Sequence, residues 1–268
     1  MAIVEEMKIR ALNDAESSEN KIHSDDIASK YGFSGALVSG ANVFAYLTQP
    51  LARQFGGKLL DRTTFDVKFL KPAYHNELLR ISTAELTTNA DRTRFKSSAF
   101  NHQGALLAVL ESSLWKHSPP MSDPLPALRI SAEITRSEIS WNRIELSVAT
   151  ADYIWTPSEE DNRQRLDAQT DEAKIYQGAS AYVHPYYLLD ACNKALKRMF
   201  ILPAWIHAGS RLTIRQPIRT GQEITVRAVP TEKWKKGGHQ FIRLCVEMIV
   251  EGKIAARTSH TAIFNIAS

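Results

Sequence analysis

The chain has 268 residues, 44% of them hydrophobic and 23% charged, a balance that predicts a soluble globular protein with room for two domains. No apolar run is long enough to cross a bilayer, the first residues lack a secretory signal, and two cysteines are too few for a disulfide framework, so we expect a cytoplasmic protein with buried thiols. The net charge of +4 is compatible with an anionic ligand but does not require one.

Polar side chains precede the first long helical pattern, in residues 17–40. His23 is the most versatile of them, because an imidazole can take and return a proton near neutral pH. Asn20 or Asp25 is expected to orient its ring, and Glu19 is a nearby carboxylate. A cap or turn role is the alternative for His23. Asp25 is also a candidate helix cap, since acidic side chains stabilise the start of a helix.

Gly40 is expected to begin the long helix that follows. Free backbone N–H groups at a helix N-terminus can stabilise an oxygen on which negative charge develops, and a glycine permits close approach. A tight turn is the other explanation for the glycine. Ser39 and Asn42 are candidate polar lining or caps, and Pro50 is expected either to kink the helix or to end it.

Each half of the chain has the same order of elements, one apolar helix and then four runs of strand character. The helical patterns are residues 43–55 and 188–199. The strand runs are residues 64–70, 78–86, 92–101 and 105–116, then 210–215, 223–229, 240–250 and 253–264. This order predicts an α+β fold in which an antiparallel sheet wraps around a long central helix in each half. Two such sheets can join edge to edge, which protects their edge strands.

A proline-rich segment separates the halves, with four prolines in residues 118–126. Prolines at this density exclude a helix or a central strand. We therefore predict a first domain of residues 1–118, a linker of residues 119–126 and a second domain of residues 127–268. A shift of 145 residues aligns the helices and strands of the two halves, and this shared register indicates a duplication. A lysine-rich loop around Trp234 is a local insertion in the second half.

The second half lacks the polar segment, because Ala168 occupies the position of His23. Residues 158–174 predict a surface helix of mixed charge. His184 precedes the second long helix, and Asp190 lies within its apolar pattern, where a charge is costly unless it is paired or lines a cavity.

His184 and Asp190 are therefore candidates for a ligand tunnel or a second, altered site, with a cap and a boundary residue as the alternatives. A cluster of tyrosines is a candidate pocket lining or part of the core, namely Tyr182, Tyr186 and Tyr187.

Most of residues 1–117 resemble the MaoC-like, or R-specific enoyl hydratase, family. That family carries Asp-x-Asn-Pro-x-His-x-Asp before a short helix, then Gly-Phe, then His-Gly at the start of the buried helix. The chain keeps part of this pattern at the same spacing, namely Asn20, His23, Asp25, Ala28, Gly32, Phe33 and Gly40. The resemblance implies a tandem (double) hot-dog fold. It also implies a site at which an Asp and a His activate water for addition to an enoyl thioester.

The chain departs from the family pattern at three positions. Ser18 stands at the catalytic Asp, Lys21 at the Pro, and Ser39 at the His of the His-Gly pair. A serine cannot act as a carboxylate base, so the usual hydration mechanism is in question. Glu19 is adjacent, but neighbouring residues of an extended segment point in opposite directions. Other nearby carboxylates are Asp14 and Glu16.

Three functions follow as hypotheses. The first is a lyase that hydrates or dehydrates an acyl thioester of coenzyme A or a carrier protein, with His23 as acid and base and Gly40 at the oxyanion. The second is a thioesterase in which His23, Glu19 or Asp190 directs water at the carbonyl. The third is a non-catalytic acyl-binding or scaffold subunit. The substrate-binding candidates are Ser18, Asn20, Ser39, Asn42, Tyr182, His184 and Asp190.

The sequence patterns also limit the expected partners. Metal-ligand spacing, a glycine-rich phosphate loop and nucleic-acid motifs are absent from the sequence, so we expect no metal, no redox cofactor and no nucleic-acid or membrane partner. The partner predicted is a small acyl substrate. Assembly of the fused pairs into a homo-oligomer is compatible with this reading.

Overall fold

The computed structural model describes residues 3–121, 129–130, 136–149 and 152–267. The elements of the first half are β1 (Ile3–Arg10), α1 (Asp25–Lys30), α2 (Gly40–Phe55), β2 (Thr63–Phe69), β3 (Leu78–Thr88), β4 (Arg92–Phe100) and β5 (Leu106–Trp115). Those of the second half are β6 (Arg129–Ile130), β7 (Ser137–Glu138), β8 (Val148–Ala149), β9 (Tyr153–Trp155), α3 (Glu159–Gln169), α4 (Pro185–Met199), β10 (Phe200–Ile201), β11 (Ile206–Ile214), β12 (Ile224–Lys236), β13 (His239–Val250) and β14 (Lys253–Asn265). The predicted α+β fold is confirmed.

One ten-stranded antiparallel sheet runs through both halves, in the order β1-β3-β4-β5-β2-β11-β14-β13-β12-β9. The halves meet where β2 pairs with β11, which confirms the predicted edge-to-edge join. Asp66 and Arg211 form an ion pair of 3.1 Å across this seam. A Cβ at Gly209 would lie 2.7 Å from the Val67 carbonyl oxygen, so a glycine is needed for the two strands to approach.

The long helices form the centre of the molecule. Every residue of α2 from position 41 to position 52 is buried, and α2 and α4 pack against each other. Alternate residues of the strands face them, such as Phe65 and Val67 of β2, as expected for a sheet with one buried face. Pro50 lies inside α2, and the helix continues past it to Phe55.

The edge strands β1 and β9 were not predicted. They occupy corresponding places, since β1 pairs with β3 and β9 pairs with β12. Their signal is weak because an edge strand is half exposed, and Ile9 is the one side chain of Glu5–Arg10 that is buried. The predicted lysine-rich loop was wrong, because β12 continues to Lys236. The hairpin then turns through Gly237 and Gly238, whose φ angles of 57° and 80° suit a two-residue turn.

The predicted surface helix is α3, which is shorter and partly buried. Ser158 caps it in a capping box with Asp161, and it ends at Gln169 before Thr170 in the left-handed region, with φ of 49°. Asn162 is fully buried, where its amide donates to the main-chain oxygens of Tyr176 and Tyr182 at 2.9 and 2.7 Å. The buried face of α3 contains the Asn162 amide instead of an apolar stripe. The sequence therefore indicated an exposed helix.

The linker is described only at residues 119–121, and its residues 122–126 lie outside the described part of the chain. The domain boundaries drawn from it stay a prediction. No helix in the described ranges combines the length and hydropathy needed to span a membrane.

Candidate functional site

A cavity of about 390 Å³ lies between the two halves. The first half contributes the loop before α1, the start of α2 and the end of β2, while the second half contributes one face of α4 and the start of β11. Six of the eleven predicted site residues line it, namely Ser18, Asn20, His23, Ser39, Gly40 and Asp190. Its volume falls within the range of small-molecule pockets.

His23 is held by hydrogen bonds at both ring nitrogens. Its Nδ1 lies 2.7 Å from the Leu37 carbonyl oxygen, and its Nε2 lies 3.2 Å from the Asn20 side-chain nitrogen. A carbonyl can only accept and an amide NH₂ can only donate, so the matching form is a neutral ring protonated at Nδ1. Burial lowers the pKa of His23, while the Leu37 bond and the Asp14 charge oppose this. The ring therefore holds a proton-accepting lone pair at Nε2.

Asn20 connects this histidine to the second half of the chain. Its side-chain oxygen accepts from the Trp205 main-chain N–H at 3.0 Å, and its side-chain nitrogen donates to the Trp205 oxygen at 2.9 Å. The remaining amide hydrogen is the one directed to His23. Asn20 is 4% exposed and all its bonds are satisfied, so Asn20, rather than Asp25, orients the ring.

Asp14 is the carboxylate that the first half of the chain contributes to the cavity lining. It forms an ion pair with Arg165 of α3, and it accepts from the Asn42 amide at 2.8 Å. Asn42 itself is buried behind the cavity wall, where its oxygen accepts from Gln169 at 2.8 Å. Asn42 thus joins α2 to α3 instead of lining the pocket. Sequence reasoning gave Asp14 little weight because its partner Arg165 is 151 residues away.

The start of α2 presents backbone donors to the cavity wall. Ser39 caps the helix by accepting from the Asn42 N–H at 3.2 Å. The N–H groups of Gly40 and Ala41 have no hydrogen-bond partner in the described part of the chain. A Cβ at Gly40 would lie 2.8 Å from His207 Nδ1, so only glycine fits.

His207 is a cavity residue that the sequence reasoning missed. It precedes a bulge in β11, and its Nε2 lies 2.8 Å from the Ser210 hydroxyl, which lies 3.1 Å from His260 Nδ1. Burial lowers the pKa of His207 well below its usual range, and it lowers that of His260 to about 3. Both rings are therefore neutral. A lone histidine in a strand gives no functional signal in the sequence.

Asp25, Glu19 and Tyr182 do not line the cavity. Asp25 is exposed and accepts from the Ala36 N–H at 2.7 Å, which fixes the loop after α1. Glu19 is directed outward to an ion pair with Arg136. The Tyr182 hydroxyl donates to Asp61 at 2.8 Å, at the far end of α2. The structure therefore does not bring these three predicted site residues into the cavity.

His184 is also outside the cavity. It caps α4 by accepting from the Tyr186 N–H at 3.3 Å, and its other nitrogen lies 3.4 Å from the buried Asp171 carboxylate. Burial lowers the pKa of His184, and Asp171 opposes this. The residue acts as a cap, which was the structural alternative for this position.

One face of α4 forms the opposite wall of the cavity. Its members are Tyr186, Asp190, Asn193 and Lys197, whose spacing places them on one side of a helix. The Asp190 carboxylate lies 2.9 Å from Lys194, so the charge predicted to need a partner has one.

Solved structures share this fold over nearly the whole chain. A protein from Chloroflexus aurantiacus described as a MaoC domain protein dehydratase matches with a TM-score of 0.71 and 11% identity, covering 100% of this chain and 97% of that one. A conserved Mycobacterium tuberculosis protein with a double hot-dog fold matches with a TM-score of 0.63 and 10% identity, over 98% and 96%. A protein from Lactobacillus plantarum described as an oleoyl thioesterase matches with a TM-score of 0.60 and 10% identity, covering 97% of this chain and 96% of that one.

These matches define the class of the molecule as a double hot-dog protein. No protein-family model matches the sequence, and no curated protein matches it. The predicted resemblance to MaoC-like proteins is thus confirmed as a likeness of fold to dehydratase structures, and identities near 10% carry the likeness no further.

Proposed function

We propose that the protein is a hydratase-type lyase, which adds water to an enoyl thioester or removes it from a 3-hydroxyacyl thioester. The observation that carries the proposal is a neutral, oriented His23 in a cavity at the N-terminus of α2. The fold likeness to an assigned MaoC domain dehydratase supports the same reaction class.

The proposed reaction uses His23 as base and then as acid. Water replaces the Asn20 N–H at His23 Nε2, and Asn20 keeps its two bonds to Trp205. Nε2 takes a proton from the water, the hydroxyl oxygen bonds to C3, and the electron pair of the double bond moves toward the thioester oxygen. The imidazolium then returns its proton to C2, so that one water has been added.

Backbone N–H groups are proposed to stabilise the charge that develops on the thioester oxygen. The free groups at Gly40 and Ala41 are suitable, because an oxyanion gains from donors that are already oriented. Asp14 is proposed to replace the carboxylate expected at Ser18. Its negative charge favours the imidazolium that forms at His23, as the direction of its effect on the His23 pKa indicates.

The cavity lining suits an acyl chain with an anionic carrier. Apolar side chains such as Ile22, Val43 and Leu107 line it, and so do Lys71 and Lys197. We propose that the apolar part binds the acyl group and that the lysines face the phosphates of coenzyme A or a carrier-protein arm.

Incubation with crotonyl-CoA tests the proposal, with enoyl absorbance and free thiol followed together. We expect loss of the enoyl signal without thiol release. His23→Asn keeps a donor near the Leu37 oxygen but removes the base, so the rate should fall roughly 10²- to 10⁴-fold. Asp25→Asn is the matched control and should stay near the wild-type rate. Wild-type activity in His23→Asn would exclude this site.

The pH profile gives a second check on His23. The base must be neutral, and its pKa lies below the usual 6.5. We therefore expect kcat/KM to rise with pH through a midpoint below 6.5 and to be level at neutral pH. A midpoint above 6.5 would contradict the assignment.

Thioester hydrolysis is the second candidate, because Asp190 lines the same cavity and an assigned thioesterase shares the fold. Thioester hydrolysis would be favoured if the wild-type protein releases free thiol and Asp190→Asn abolishes that release. Binding of crotonyl-CoA with neither signal would favour an acyl-binding subunit.

A further inference from the structure

Tyr186, the second residue of α4, has a hydroxyl group without a protein partner. The residue lines the cavity, and no hydrogen bond to its hydroxyl exists among the residues that the structure describes. The Tyr186 hydroxyl is not fully buried, in contrast to the Tyr176 hydroxyl, which is fully buried without a partner. The adjacent Tyr187 differs, because its hydroxyl donates to the Asp161 carbonyl at 2.7 Å. The Tyr186 hydroxyl is thus free to meet a ligand.

Two contacts within the second half of the chain hold the Tyr186 ring. The Arg165 guanidinium lies 4.2 Å from the ring centroid, and Arg165 is held by its ion pair with Asp14. The Tyr187 ring adds an edge contact, at 5.1 Å between centroids. A ring held in this way presents its hydroxyl at small entropic cost.

Tyr186 lines the same cavity as His23 and Asp14. The charge of Asp14 influences both side chains, and all three residues line the cavity. Burial raises the pKa of Tyr186 well above its usual range, and Asp190 and Asp14 add to this effect. The phenol is therefore protonated at working pH and is a donor. A hydroxyl oxygen or a water between the two residues would donate to His23 Nε2 and accept from Tyr186.

We propose that Tyr186 donates a hydrogen bond to the oxygen that is added to or removed from C3 of the substrate. This makes Tyr186 a recognition residue for 3-hydroxyacyl ligands, supplied by the second half of the chain to the site of the first half. The inference rests on the proposed function, since it assigns a role within that reaction.

Calorimetric binding of 3-hydroxybutyryl-CoA and butyryl-CoA tests the proposal, because the two ligands differ at the C3 oxygen. Tyr186→Phe keeps the ring and removes only the hydroxyl. It should weaken the binding of 3-hydroxybutyryl-CoA about tenfold and leave the binding of butyryl-CoA unchanged. A tenfold loss is the size expected for one hydrogen bond. The kcat for crotonyl-CoA should fall more than KM changes. Tyr187→Phe is the matched control. It should lower the urea midpoint, because it loses an internal hydrogen bond, and should leave the binding preference intact.

Each other outcome would overturn the assignment. Equal weakening of the binding of both ligands would mean that the Tyr186 hydroxyl contacts the thioester carbonyl or the acyl chain. A lower urea midpoint for Tyr186→Phe would show a structural partner instead. An unchanged preference in Tyr186→Phe would remove this inference and leave the proposed function standing. If neither ligand binds the wild-type protein, the proposed function and this inference fall together.

Discussion

Single residues in this molecule acquire their roles from partners distant in the chain. His23 keeps the place that the motif gives it, but its orientation comes from Asn20, which in turn is fixed by Trp205, 185 residues later. Ser18 stands where the MaoC-like motif has an Asp, and a carboxylate at Asp14 reaches the cavity instead. The motif therefore predicts where the site lies, while its acidic group depends on tertiary contacts that the sequence does not display.

Asp14→Asn tests the acidic group. The change removes the charge that favours a protonated His23 and leaves the Arg165 guanidinium without its carboxylate, in a place where the Arg165 side chain is 16% exposed. We expect a lower rate of crotonyl-CoA hydration and a loss of roughly 1–3 kcal/mol in the free energy of unfolding, measured in urea. Glu19→Gln is the control, because its ion pair is exposed and such pairs contribute little. Equal effects of the two changes would argue against a special role for Asp14.

At the scale of elements, strong hydrophobic periodicity decided which segments could be predicted. The central helices and the eight long strands follow patterns of period 3.6 or 2, and the structure has all of them. The edge strands β1 and β9 and the buried amide face of α3 could not be predicted, because their stability comes from pairing and from polar contacts. His207 and Tyr186 likewise enter the site only through the way β11 and α4 pack on the first half.

The start of α2 gives a prediction at this scale. Ser39 was a candidate substrate-binding residue, and the structure shows it as the helix cap. Ser39→Ala should lower the free energy of unfolding by about 1 kcal/mol, because the Asn42 N–H loses its acceptor. Ser39→Thr should retain most of the stability, since a threonine hydroxyl can also cap. The measurement is the urea midpoint, and a midpoint equal to wild type in Ser39→Ala would show that the cap is dispensable.

At the scale of the whole molecule, the two halves act as one unit. One sheet crosses the seam between β2 and β11, and the cavity needs a loop of the first half and a helix of the second. Each half has one long helix and four long strands, and only the first half has the polar segment. The corresponding place in the second half holds α3 and the His184 cap, and Arg165 of α3 forms the ion pair with Asp14 of the cavity.

Four histidines, three of them buried and His23 partly buried, make the stability of this unit dependent on pH. The pKa values of His23, His184, His207 and His260 are all lowered by burial, most strongly those of His207 and His260, so each ring binds a proton less readily in the folded protein. In the unfolded chain a histidine has a pKa of about 6.5 and binds a proton below it. The unfolded state then binds more protons than the folded state. Stability is therefore full above about pH 6.5 and falls as the pH drops toward the folded pKa values.

His260 isolates this effect, because its folded pKa is about 3. Between pH 7.5 and 5.5, one such histidine should lower the free energy of unfolding by about 1.4 kcal/mol. His260→Asn cannot titrate in this range and keeps an acceptor for Ser210, so its pH dependence should be shallower than that of wild type by about that amount. His102→Asn is the control, because the His102 side chain is 64% exposed and stays in water when the chain folds. Urea unfolding at pH 7.5, 6.5 and 5.5 measures the slopes. Parallel slopes for wild type and His260→Asn would mean that the His260 ring is protonated, or open to water, in the folded protein.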